Sequence, residues 1–176
     1  MAYVTDQLNT ALASLPCLGL AVLMVTGAAV PRSALAQAAT DDSVRVLAVA
    51  EAALDAINRG DGVAFTDLMV DEVTMFRVAA ARPGYGVRTR AETRGQRPSR
   101  TVTERGFDAT VHVSGPLATV WLPYDLYLDG EWSHCGVDTF TLLLVDGTWK
   151  IASMSWSVEQ PPACERHPDG PPARRP

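Results

Sequence analysis

Apolar and polar positions change their period part-way along this chain. From Val44, the apolar residues Val46, Leu47, Val49, Ala50, Ala53, Leu54 and Ile57 recur at three- and four-residue spacing, which predicts a helix that buries one stripe. Asp41 to Ser43 can cap its start, and Asn58-Arg59-Gly60-Asp61 ends it with a glycine stop and begins another. A short second helix over 62–70 carries Phe65, Leu68 and Met69 on one side. Beyond Asp71-Glu72 the spacing is that of strands, over 73–79, 103–114, 117–128, 131–145 and 148–158. Residues 81–101 are rich in Gly, Arg and Pro and predict a long loop with a short helix from Arg90. Helices followed by a run of strands describe an α+β domain, a curved antiparallel sheet with helices on one face.

Two Asp-Gly pairs, Asp129-Gly130 and Asp146-Gly147, suit the positive φ angles of two-residue hairpin turns. Such turns fix register, and with it the residues that share a face. Taken as regular hairpins, they place Asp125 across from His134, Trp121 across from Asp138, and Asp138 across from Ser155. One face then carries Trp121, Asp125, Tyr127, Trp132, His134, Asp138, Phe140, Leu142, Leu144, Trp149, Ile151, Ser153 and Ser155. Leu142, Leu144, Trp149 and Ile151 on it require cover by the helices. The polar groups further along it give the mixed lining of a small-molecule pocket, with Trp121, Tyr127, Trp132, Phe140, Ser153, Ser155 and Met75 as its candidate lining; a further alternative is a purely structural dimerising domain whose pocket Trp121, Trp132 and Met75 close. The opposite face holds Leu122, Tyr124, Val137, Met154 and Trp156, which bury most simply against a second copy of the chain.

The candidate chemistry follows from that register. Cross-strand Asp125 would orient His134 as a general base. Asp138, deeper among aromatic residues, would be held protonated by burial and serve as an acid or oxyanion donor. The plainer alternative makes Asp125 and His134 a structural cross-strand contact. Glu104 and His112 fall at the rim. Ser155 has no base placed to activate it, so a Ser-His-Asp hydrolase is not supported. No cofactor motif and no cysteine or histidine group with metal-ligand spacing occurs, so neither a cofactor nor a metal is expected.

At 176 residues the chain holds one domain with tails. Residues 1–36 read as a targeting leader: the stretch from Ala11 to Val30 is uncharged, and Ala34-Leu35-Ala36 is a small-x-small cleavage signal. The segment before it carries Asp6 and no Lys or Arg, which departs from an export signal, and an uncleaved membrane anchor is the alternative. With a linker over 37–43 and the domain over 44–160, residues 161–176, holding half of the twelve prolines, predict a disordered tail. The expected location is periplasmic or secreted. The net charge of −5 is unaltered by loss of the leader, which removes Asp6 and Arg32, and argues against a nucleic-acid partner. The local cluster Arg82, Arg88, Arg90, Arg94, Arg97, Arg100 and Arg105 reads as a loop whose arginines pair with carboxylates. Cys135 and Cys164 remain after cleavage, either as a disulfide or as a buried thiol and a loose one.

The residues Val111, Val113, Gly115, Ala118, Val120, Trp121, Tyr124 and Asp125, then Asp129, Gly130, His134, Cys135, Gly136, Asp138 and Phe140, then Asp146, Gly147, Trp149, Lys150 and Ile151, form a pattern. It resembles the nuclear transport factor 2-like (NTF2-like) superfamily, nearest its SnoaL-like and lumazine-binding-like, often exported bacterial branch. The resemblance covers about residues 43–160 and implies a cone-shaped α+β barrel, commonly dimeric, with a pocket between helices and the concave sheet. Val137-Asp138-Thr139-Phe140 resembles the ketosteroid isomerase strand that bears an oxyanion-hole aspartic acid. The tyrosine and the base of those enzymes align with Ala53 and Arg77, so that activity does not carry over. The expectation is an exported protein that binds a small, mainly apolar molecule. The alternative is a cofactor-independent isomerase, dehydratase or cyclase using His134 with Asp125 as base and Asp138 as acid.

Overall fold

A computed structural model describes residues 32–173, with side chains from residue 40. Helix α1 spans Arg32–Arg59, α2 Gly62–Asp67 and α3 Arg90–Gly95. The strands are β1 (Met69–Ala79), β2 (Arg82–Thr89), β3 (Val102–Gly106), β4 (Thr110–Ser114), β5 (Leu117–Leu128), β6 (Glu131–Val145) and β7 (Thr148–Val158). They form one curved sheet in the order β2-β1-β7-β6-β5-β3, with β4 also paired to β5. Every pairing is antiparallel except that of β1 with β7, so the sheet is mixed where the pattern predicts a wholly antiparallel one.

The expected leader and its anchor alternative fall on residues that are, up to Pro31, outside those described. The expected linker over 37–43 is helical instead. Ala34, Ala36, Ala38 and Ala39 are the strongest helix formers, and Asp42 stabilises the helix side-on rather than capping it. Its carboxylate accepts from Arg45 at 2.9 Å and from Trp149 Nε1 at 3.2 Å, which ties α1 to β7. Among the described residues no helix is long and apolar enough to cross a membrane.

Helix α1 lies on the concave face, where Val46, Ala50, Ala53, Leu54 and Ala56 pack with Val73, Met75, Val120, Leu122, Phe140, Leu142, Trp149, Ile151 and Met154. The helix stops as its sequence predicts: Gly60 takes φ 64°, and Asp61 N–H donates to the Ala56 carbonyl at 2.9 Å. Asp61 then caps α2 by accepting from Ala64 N at 2.9 Å.

Both Asp-Gly turns form, with φ of 54° and 80° at Asp129 and Gly130 and 49° and 76° at Asp146 and Gly147. Register near each turn is as predicted: Leu128 faces Glu131, and Val145 faces Thr148. Each hairpin then slips by one residue. Tyr127 faces Trp132 but Leu126 faces His134, leaving Ser133 unmatched; Leu142 faces Ile151 but Thr141 faces Ser153, leaving Ala152 unmatched. A one-residue bulge reverses the face of everything beyond it. In β5 the helix side therefore receives Val120, Leu122, Tyr124 and Leu126, and in the far half of β7 it receives Met154 and Trp156. Trp121, Asp125, Tyr127, Ser153 and Ser155 go to the outer face, contrary to the regular register. Leu122, Tyr124 and Met154, expected to bury a dimer interface, are buried under the helices, so that surface does not exist as proposed.

Two further segments depart from expectation. Residues 82–89 form a strand at the sheet edge rather than a loop, and all eight are exposed, which is why no alternation marks them. The strand predicted over 103–114 breaks into β3 and β4 at Phe107–Ala109, where Asp108 takes φ 47°.

The described tail is held to the outer face instead of being disordered. Glu159 pairs with Cys135 through two backbone hydrogen bonds, and a disulfide joins Cys135 to Cys164 across a Cα–Cα distance of 5.7 Å. His167 N donates to Asp125 Oδ2 at 3.1 Å, the His167 ring meets Phe107 edge-on, and Arg166 lies 4.0 Å over Trp132. Prolines do not prevent docking when a covalent bond and a buried carboxylate supply fixed points.

Asp125 is the hub of that contact. It is fully buried and receives two hydrogen bonds from Arg105, at 2.9 and 2.6 Å. Removing one partner of a buried ion pair strands the other, so Asp125→Ala is expected to lower unfolding free energy by about 3–5 kcal/mol. Cys164→Ser is expected to cost about 2–4 kcal/mol. Chemical denaturation checks both, and a Cys164→Ser protein as stable as the parent would show that the strap contributes nothing.

Candidate functional site

Between α1, α2, the α3 segment and the concave sheet lies a cavity of about 330 Å³. Its apolar wall includes Ile57, Phe65, Met75, Leu126, Met154 and Trp156, and its polar groups are Asp61, Arg77, Arg88, Thr93, Gln96, Arg97, Glu104, Tyr124, His134 and Asp138. His134 and Asp138 share this face because β6 alternates without interruption between them. Met75 lines the cavity as expected, while Trp121, Tyr127, Trp132, Phe140, Ser153 and Ser155 do not. Phe140 is on the same side but sealed in the core. Trp121 is 54% exposed on the outer face. Tyr127 and Trp132 meet edge-on beneath the tail, with Arg105 over the Tyr127 ring.

The expected His134–Asp125 dyad is absent, since Asp125 faces Cys135 and points away from the cavity. His134 instead faces Leu126, its Nδ1 lies 2.9 Å from Ser133 Oγ, and its ring meets Tyr124 edge-on at 5.8 Å. Partial burial and then the nearby Arg77 charge hold the imidazole below its usual pKa, so it is neutral at neutral pH.

Asp138 is fully buried, and neither of its oxygens receives a hydrogen bond from an N–H or hydroxyl of the described residues. The ionisable group beside it is Glu104, which the regular register assigns to the rim. Asn58 fixes Glu104 from both sides: Asn58 Nδ2 donates to its carbonyl at 2.8 Å, and its N–H donates to Asn58 Oδ1 at 2.7 Å. Burial pushes the Glu104 carboxyl up to about 7. Burial raises Asp138 well above the usual range, and the Glu104 charge adds to it. Two carboxyls in one low-dielectric site cannot both ionise, and a proton between them satisfies both.

Tyr124 completes this end. Its hydroxyl donates to the Ser157 carbonyl at 2.6 Å, and burial raises its pKa beyond any physiological range. Gly136 makes this approach feasible, because a Cβ there would run into the Ser157 carbonyl. This inner end thus combines an uncharged tyrosine, a histidine and a proton-holding carboxyl pair in an apolar hollow, suited to binding a carbonyl or hydroxyl or to moving a proton. Among the described residues no group of histidine, cysteine and carboxylate side chains could hold a metal.

No family model matches the sequence, and a search of curated proteins finds no match. Solved structures do match. A Pseudomonas putida NTF2-like protein of unknown function aligns at TM-score 0.58 and 15% identity, covering 76% of this chain and 98% of its own. A Novosphingobium aromaticivorans NTF2-like protein with a cystatin-like fold aligns at 0.52 and 14%, covering 72% and 86%. A Streptomyces avermitilis NTF2-like protein, named provisionally as a dehydratase, aligns at 0.54 and 21%, covering 68% and 96%. The chain has the NTF2-like fold. Identities this low carry architecture alone, so what an NTF2-like cavity does here rests on its own side chains.

The NTF2-like sheet buries a carboxyl pair that holds protons more tightly than water allows, which makes stability depend on pH in a defined direction. Glu104 rises from an ordinary 4.5 in the unfolded chain to about 7 when folded, so the native state holds the extra proton between those values. This contribution is complete below about 4.5 and is lost as pH rises through about 7. Thermal melting followed from pH 5 to 8 is expected to show this decline, and Glu104→Gln is expected to flatten it.

Proposed function

We propose that this protein binds a small, mainly apolar molecule in the helix-roofed cavity. The observation that carries the reading is the cavity itself: about 330 Å³, walled by Ile57, Phe65, Met75 and Met154, with a carboxyl pair that retains a proton at its inner end. Size and lining are those of pockets that take a ligand's body by burial and orient it with few polar contacts. Asp138, protonated, can donate to a carbonyl or hydroxyl of such a ligand. The Cys135–Cys164 disulfide supports placing the protein outside the cytoplasm, where such bonds persist.

A second reading, a cofactor-independent isomerase, dehydratase or cyclase, is favoured by one observation: an unprotonated His134 and a protonated Asp138 line the same cavity. Asp125 has no part in it. On this reading His134→Ala abolishes turnover while leaving ligand affinity within about threefold.

The neutral fluorophore N-phenyl-1-naphthylamine tests the binding reading. Its emission is expected to rise on binding, and Ile57→Trp, which fills the cavity from α1, is expected to weaken binding at least about tenfold with the melting temperature little changed. Equal binding by parent and filled variant would place the probe elsewhere and sink the reading.

A further inference from the structure

Among the described residues, five arginines outside the cavity lining are ion-paired, whereas Arg59, Arg82 and Arg166 are not, the last lying over Trp132. Arg45 pairs with Asp42, Arg90 with Asp67 and Asp71, Arg94 with Asp67, Arg100 with Asp129, and Arg105 with Asp125. The three that line the cavity, Arg77, Arg88 and Arg97, make no ion pair among the described residues. Arg88 meets Gln96 Oε1 at 3.4 Å and the Trp156 ring at 5.6 Å, and its charge also reaches the Glu92 carboxylate on α3 without forming an ion pair. Arg77 is half-buried on β1, close enough to Tyr124 and His134 for its charge to be felt by both.

The carboxyls in the same lining offset this charge only in part. Asp61 lies at the start of α2, where Ala64 N donates to it. Asp138 and Glu104 share a proton at the inner end. The lining is therefore apolar within and cationic along the β1–β2 and α3 side.

We propose that the ligand is an amphipathic organic acid, its apolar body among Phe65, Met75 and Met154 and its acid group held by Arg77, Arg88 and Arg97. This deepens the binding reading and depends on it. An arginine fork matches a carboxylate or sulfonate with two parallel hydrogen bonds, and apolar walls strengthen that attraction by excluding water. The acid enters last and stays at the mouth, leaving the opposite end of the molecule to meet Asp138. A half-buried guanidinium such as that of Arg77 gains a counterion only when the ligand is bound.

Two fluorophores of the same skeleton separate the claims: 8-anilinonaphthalene-1-sulfonate, an anion, and neutral N-phenyl-1-naphthylamine. On the full chain at low salt, the anion is expected to bind about tenfold tighter than the neutral probe, as charge-assisted hydrogen bonds require. Arg77→Met and Arg88→Met are each expected to remove most of that preference and to leave the neutral probe's affinity unchanged. Arg97→Met, on an exposed side chain, provides the same test if a β-strand substitution loosens the fold. Binding of the neutral probe with no preference for the anion overturns the organic-acid assignment while the cavity reading stands. Failure of both probes overturns the cavity reading and this proposal together. Equal losses for both probes in the arginine variants would mark those residues as structural and likewise overturn the assignment.

Discussion

Two extra residues, Ser133 in β6 and Ala152 in β7, decide which side chains face the helices. Without them, Asp125 and Trp121 would lie under α1, and Leu122, Tyr124, Met154 and Trp156 would face outward. With them, the apolar sides of β5, β6 and β7 coincide, and one continuous core forms beneath α1. The energetic reason is burial: each large apolar side chain moved from water to core contributes about 1.5–3 kcal/mol. A bulge costs far less than exposing four of them.

That alignment has a chemical consequence. The side that receives Leu122 and Tyr124 also receives Glu104 and Asp138, two carboxyls with no cation beside them. Low dielectric and mutual repulsion then hold a proton on the pair. The outer face received the opposite arrangement. Asp125 meets Arg105 there, and the tail adds a backbone donor and a disulfide. Two acidic residues on one strand pair thus differ in role because they differ in partner: one anchors structure, the other holds a neutral acid in a hollow.

Much of this was legible beforehand. The helical stripe, both Asp-Gly turns and the alternation in β6 place α1, the hairpins, His134 and Asp138 correctly. The fold followed from the pattern of Gly, Asp and aromatic positions. The misplaced residues came from extending turn register along strands of twelve and fifteen residues as though no bulge intervened. The signal against it was present: Val120, Leu122, Tyr124 and Leu126 alternate with Thr119, Trp121, Pro123 and Asp125, and the apolar phase of β7 shifts between Ile151 and Met154. Requiring one apolar side per sheet would have demanded both bulges. Glu104 had no comparable signal, because only the pairing of β3 with β5 and the clamp from Asn58 bring it to Asp138. The tail was legible in part: the pair Cys135 and Cys164 offered a tether as one of two readings and the disulfide forms, while proline-rich composition reports only a missing core.

The claim at the centre is that Asp138 and Glu104 share a proton inside the cavity. Carboxyl carbon NMR across pH on protein labelled at aspartate and glutamate tests it directly. The account predicts one aspartate that titrates well above the ordinary carboxylate range and one glutamate that titrates near 7, with the aspartate signal absent in Asp138→Asn. If every carboxyl instead titrates in the ordinary range around 4, the pair is solvated and the cavity chemistry built on it is wrong.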